Sequence, residues 1–211
     1  MNQSISQYIE SLLPSRNELF QEMESLAEKE HVPIMEQTAI DVMLQFMRMQ
    51  NPVKILEIGT AIGYSALRMS EALPDAEIVT IEIDPNRAEQ ARKYIQASGK
   101  DGRINILEGD ALELVEKVKE QGPYDAIFID AAKGQYLKFF NMYGSMLNDR
   151  GCIYSDNVLF RGYVATETVD QRRFRSLARK MKEFNSFLMG HNDYITTIIP
   201  VGDGLAVSRK R

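Results

Sequence analysis

Two glycines behind a short apolar run constrain this chain more than any other feature. The stretch from Val53 to Ser65 begins with β-branched and apolar residues, Val53 to Glu57, that suit a strand. The run is too brief and too glycine-bounded for a helix. Gly59 and Gly63 then allow a sharp turn and let a ligand approach the backbone closely. A helix from about Tyr64 directs its free N–H groups back at that turn. Strand, glycine turn and helix N-terminus together form a cradle for a nucleotide or nucleoside and commit the chain to an α/β architecture.

The spacing narrows the ligand. A dinucleotide-binding turn reads G-x-G-x-x-G, its second glycine making room for a pyrophosphate. Here Thr60, Ala61 and Ile62 lie between the glycines of Glu57-x-Gly59-x-x-x-Gly63, so the pyrophosphate position is not glycine. A second strand, Glu77 to Ile81, ends in Glu82, and Asp84-Pro85 supplies an N-cap and first residue for the next helix. Glu82 is placed to accept hydrogen bonds from both hydroxyls of a ribose. An ordinary α/β turn with a surface glutamate would explain either feature alone. Together with Glu57 they resemble the first two motifs of class I S-adenosylmethionine-dependent methyltransferases.

Strand and helix patterns alternate from Val53 onward, which implies a mostly parallel sheet with helices on both faces. A third strand, Arg103 to Leu107, leads to Asp110-Ala111, with Asp110 at a helix start as an N-cap or as a partner for an adenine amine. The fourth, Asp125 to Ile129, is nearly all apolar and therefore central, and it ends at Asp130. A helix with Tyr136, Phe139, Phe140, Tyr143 and Leu147 on one stripe precedes a fifth strand, Gly151 to Ser155, ending in Asp156-Asn157. After a loop from Val158 to Thr168 comes a helix from about Asp170 to Phe187. Two further strands, Tyr194 to Val201 and Leu205 to Ser208, flank the hairpin signal Gly202-Asp203-Gly204. Residues 4–50 read as three helical pieces broken at Pro14 and Pro33. The expected organisation is a single domain over 1–211, with a helical cap (1–50) on a catalytic α/β core (51–211). The cap's break, His31 to Met35, is a loop able to fold over a ligand.

The 211 residues suit one domain with a substantial core. The first ten residues have neither the basic nor the apolar segment of a signal peptide, and no apolar run reaches the roughly 20 residues that span a bilayer. The single cysteine, Cys152, excludes an internal disulfide, and a cytoplasmic protein with no membrane partner is expected. A net charge of −5 argues against nucleic-acid binding over the whole surface. Locally the balance reverses: Arg161, Arg172, Arg173, Arg175, Arg179, Lys180 and Lys182 face only Glu167 and Asp170. Such a run is either a solvated helix face or a basic patch.

Ligands of parallel sheets sit beyond the C-terminal strand ends, where Asp130 and Asp156-Asn157 fall on adjacent strands. Two carboxylates and an amide carbonyl, without thiolate or imidazole, favour Mg²⁺ or another hard ion. With Phe-Ile-Asp130-Ala-Ala-Lys133 and Ser-Asp156-Asn157 in place, the chain resembles the metal-dependent O-methyltransferases of the catechol O-methyltransferase type along nearly its whole length. That resemblance implies a Rossmann-like class I fold with a seven-stranded sheet. It implies Asp130, Asp156 and Asn157 as metal ligands, and Lys133 as base, with Asp130 catalytic beside it. It also implies S-adenosylmethionine held by Met35, Glu57, Gly59, Gly63, Ser65, Glu82, Asp110, Ala111 and Asp130. The catechol enzyme's His-Trp before the lysine is replaced by Ala131-Ala132, and the chain has no tryptophan, so the tryptophan-lined catechol slot is missing. Among bacterial members the chain is most similar to those that methylate 5-hydroxyuridine in tRNA. This implies a tRNA anticodon loop as partner, and family resemblance also implies a homodimer. A methyltransferase of small catechol-like molecules and a non-catalytic nucleotide- or RNA-binding module are the alternatives.

Overall fold

The structure is a computed structural model that describes residues 3–166, 169 and 172–211. Glu167, Thr168 and Asp170, and the side chain of Arg173, lie outside the described residues. Three helices come first: α1 (Gln3–Leu12), α2 (Glu18–Glu30) and α3 (Gln37–Gln50). Asn17 caps α2 by accepting from the Phe20 amide, and α2 and α3 end on left-handed residues, His31 and Asn51.

The core then alternates β1 (Lys54–Ile58), α4 (Tyr64–Ala72), β2 (Glu77–Glu82), α5 (Pro85–Ala97), β3 (Ile104–Glu108), α6 (Val115–Gln121) and β4 (Tyr124–Ile129). It continues with α7 (Tyr136–Gly144), β5 (Leu147–Ser155), α8 (Arg172–Gly190), β6 (Tyr194–Ile199) and β7 (Leu205–Lys210), with a 3-10 segment at Phe160–Ala165. All seven strands form one sheet in the order β3-β2-β1-β4-β5-β7-β6. β1 to β5 pair in parallel, and β7 runs antiparallel to both its neighbours. Strand order reverses between β1 and β4, and a crevice opens beyond the strand ends at such a point.

Alternation along the strands divides the core. Ile55, Phe128 and Tyr154 face Met43, Leu44 and Met69 from α3 and α4. Leu56, Ile127 and Ile153 face Phe140 and Met181 from α7 and α8. Four expectations need correction. The fifth strand starts at Leu147, not Gly151, so Leu147 leaves the α7 stripe and enters the sheet opposite Tyr124. Asp110 does not start a helix: its carboxylate accepts from the Leu112 amide in a turn, and α6 begins only at Val115. The first and third strands are each shifted by a residue, to Lys54–Ile58 and Ile104–Glu108; Val53 is exposed and meets β2 only through its carbonyl, which accepts from the Glu77 amide at 2.9 Å.

Candidate active site

The β1–α4 turn is shaped by contact with the end of β4. Gly59 adopts φ 107°, and a Cβ there would lie 2.0 Å from the Asp130 carbonyl oxygen. Only glycine permits that approach. Gly63 serves a different contact, since a Cβ there would come within 3.2 Å of the Ala91 Cβ on α5.

Under the turn lies a buried polar chain. Glu57 is fully buried and accepts from the Ser65 hydroxyl and, at 2.5 Å, from the Thr80 hydroxyl. Thr80 in turn lies 2.6 Å from the Thr60 hydroxyl. Burial pushes the Glu57 carboxyl up to about 8, against the lowering effect of Ser65 and Thr80. Glu57 does not line the cleft: it sits beneath the turn and holds Ser65, which does line it. Glu82 is positioned by the backbone, accepting from the Ala61 amide at 2.7 Å and the Asp84 amide at 2.9 Å.

These groups border a cleft of ≈ 450 Å³, within the usual range for small-molecule sites. Gly59, Ser65 and Glu82 form one side; Asp110, Ala111 and Asp130 form another; Met35, from the loop between α2 and α3, contributes a third. The structure thus brings the expected cofactor residues together, with Glu57 and Gly63 behind the wall. Tyr64, Arg87, Gln135 and Phe139 also line it and were missed, because single residues inside helices and loops carry no motif of their own.

A second cleft adjoins the first. Pro33, Ile34, Lys133 and Asn157 line both, and Asp156, Arg161 and Asp203 line the second only. Lys133 Nζ donates to Asn157 Oδ1 at 2.6 Å, and Asn157 Nδ2 donates to Asp156 Oδ2 at 3.0 Å. Asn157 takes φ 55°, a left-handed conformation that asparagine tolerates, and so turns its amide across the end of β5. Burial raises the Asp130 carboxyl, with Lys133 opposing. Burial also raises Asp156, with Asp130 next in importance. Asp130, Lys133, Asp156 and Asn157 therefore form one electrostatic cluster where the clefts meet. Among the described residues no group of three or more His, Cys, Asp and Glu is arranged to hold a metal, so any ion here depends on the Asn157 amide oxygen as well. Asp203 was read only as part of a hairpin turn. The turn brings it beside Asp156, and its carboxylate accepts from the Arg161 amide.

A seven-stranded, singly reversed sheet with an acidic cleft at its switch point defines the Rossmann-like methyltransferase class. The O-methyltransferase family model matches residues 7–211, and the chain belongs to that family. It is 33% identical over 162 residues to the catechol O-methyltransferase of Niastella koreensis, covering 73% of this chain and 72% of that protein. A Staphylococcus aureus structure assigned to the caffeoyl-CoA O-methyltransferases superposes with TM-score 0.92 at 35% identity, over 97% of this chain and 98% of that one. An SAH-bound methyltransferase from Podospora anserina gives TM-score 0.83 at 27% identity, over 100% and 97%.

Proposed function

We propose that this chain transfers a methyl group from S-adenosylmethionine to the hydroxyl of 5-hydroxyuridine at the tRNA wobble position, giving 5-methoxyuridine. Asp130, Asp156 and Asn157 would hold a Mg²⁺ ion. The observation that carries the reading is the meeting of two clefts at Lys133 and Asn157, one shaped for a nucleoside-bearing cofactor and the other open to an acceptor. The SAH-bound fungal neighbour supports the cofactor.

The residues fit the ion. Asp130 and Asp156 are two buried carboxylates, the first opposing the ionisation of the second, beside an amide oxygen that accepts a hydrogen bond from Lys133. An all-oxygen set of this kind suits a hard divalent ion. When bound, the cofactor supplies an activated methyl on a sulfonium, and the ion supplies Lewis-acid stabilisation of the acceptor's charge. Glu82 and Asp110, which line the cleft with Met35, would hold the nucleoside half of the cofactor. Lys133, as the neutral amine, would take the proton from the acceptor hydroxyl. The remaining work is alignment, with the two clefts holding donor and acceptor in line.

A tRNA acceptor is supported by the second cleft's surroundings. Arg161 lines it, and Arg172, Arg179 and Lys180 are exposed on α8. Lys180 reaches the Gly134 carbonyl at 3.5 Å, which brings this helix beside the Lys133 loop. Phe160, Tyr163 and Phe174 pack into an aromatic cluster at the same edge, in which Phe160 is buried and the half-buried Tyr163 and Phe174 are the rings a base would meet. A loop base is already unpaired, so presenting it needs no extraction from a duplex. The names of the Niastella and Staphylococcus relatives favour a second reading, a small catechol-like acceptor. A homodimer through the N-terminal helices also belongs to the proposal, supported by the exposed Ile5, Tyr8 and Leu12 on α1. Mass spectrometry of tRNA nucleosides from a strain lacking the protein tests the substrate. Loss of 5-methoxyuridine with accumulation of 5-hydroxyuridine is expected, and an unchanged 5-methoxyuridine level would refute it.

A further inference from the structure

A charged network crosses an otherwise apolar contact between the helical cap and the core. Arg68 on α4 is 8% exposed, and its guanidinium donates to Tyr64 Oη at 2.9 Å and to Asp41 Oδ1 on α3 at 2.5 Å. The Tyr64 hydroxyl passes the contact on, donating to Glu24 Oε1 on α2 at 2.6 Å. Arg16 Nε lies 2.5 Å from the same oxygen, and Gln37 Nε2 on α3 donates to Glu24 Oε2 at 3.2 Å. The guanidinium also lies 5.4 Å from the centroid of the Phe20 ring and 5.6 Å from that of Tyr64.

Adhesion does not require this arrangement. Around it Phe20, Met23, Ile40, Met43 and Leu44 already bury a continuous apolar surface, and a buried ion pair contributes little net stability compared with apolar packing. What the network does is fix geometry, because a guanidinium's donors have set directions. Its anchors, Glu24, Gln37 and Asp41, lie on the two helices that flank the loop carrying Pro33, Ile34 and Met35. That loop and Tyr64 both line the first cleft. The same hydrogen bonds therefore set both of these walls.

We propose that the Arg68–Tyr64–Glu24–Asp41 network is a positioning device that holds the α2–α3 loop over the cofactor cleft, so that cofactor affinity depends on it while the chemical step does not. Arg68, Glu24 and Asp41 act through Tyr64 and the loop and touch neither substrate. The inference rests on S-adenosylmethionine being the ligand of this cleft.

The test is a pair of variants. Arg68→Met with Asp41→Asn removes the bridge without stranding a charge, and Glu24→Gln weakens it more gently. Calorimetric titration of the full chain with S-adenosylmethionine should give a Kd about tenfold weaker in the double variant, as expected when the loop-closed state becomes a minor population. A smaller shift in the same direction is expected for Glu24→Gln. In both variants kcat at saturating cofactor should stay within about twofold of wild type, and amide exchange across residues 31–36 should accelerate. If the double variant does not fold, Glu24→Gln decides by the same measurements. Wild-type affinity in a folded variant would overturn the inference, as would a fall in kcat with unchanged Kd. Failure of the wild-type chain to bind S-adenosylmethionine would instead overturn the cofactor reading.

Discussion

Gly59 joins the two halves of the site, because its missing side chain lets the end of β1 touch the Asp130 backbone. Gly59→Ala would place a Cβ inside that contact and force an L-residue to φ 107°. A loss of about 3 kcal/mol is expected, measurable by urea unfolding. Glu57 makes a different prediction. Its carboxyl is pushed up to about 8 by burial, so between the ordinary glutamate value and about 8 the folded state binds a proton that the unfolded chain has released. The stabilisation from this group is complete below the unfolded value and is lost as pH rises toward about 8. Glu57→Gln keeps a neutral group there and should flatten the fall in melting temperature across that window. An identical pH profile for variant and wild type would show that Glu57 stays ionised. Glu82→Ala should weaken S-adenosylmethionine binding by about 1.5–3 kcal/mol, the worth of hydrogen bonds to a charged group, read by calorimetry.

At the scale of elements, α8 and the 3-10 segment before it carry the prediction that separates RNA from small acceptors. Replacing Arg161, Arg179 and Lys180 with alanine should raise the Michaelis constant for tRNA and leave cofactor affinity unchanged. Each lost single-strand phosphate contact should also reduce the salt dependence by roughly 0.7 log units per log salt. Elements were legible in the sequence wherever local chemistry dictated them. The glycine turn, the acid ending β2 and the aspartates ending β4 and β5 all follow from short-range pattern. The start of β5 was not legible. Asn148, Asp149 and Arg150 are polar and fall between the expected helix stripe and the expected strand, yet they belong to a strand whose register slips between Tyr124 and Ala126. Leu147 is buried on either assignment, so apolar spacing could not decide between helix and strand. Asp203 was illegible as a site residue for another reason: only the pairing of β7 with β5 carries the β6–β7 turn back to the end of β5.

The molecule as a whole has a cap that shares the core's interior. Met43 from the cap is fully buried in one cluster with Ile55 and Phe128 of the sheet. Residues 3–50 should therefore unfold together with the rest. Met43→Ala should cost about 2–5 kcal/mol and shift near- and far-ultraviolet dichroism transitions by the same amount. Separate transitions would show an independent cap. Among the described residues no helix is long and apolar enough to cross a membrane. The most direct measurement of the central claim is transfer of a labelled methyl group from S-adenosylmethionine, with Mg²⁺ present, to tRNA bearing 5-hydroxyuridine and to a panel of catechols in parallel. Label is expected in the tRNA, abolished by chelation and by Asp156→Ala, with slow or no labelling of catechols. Rapid labelling of catechols with none in tRNA would contradict it.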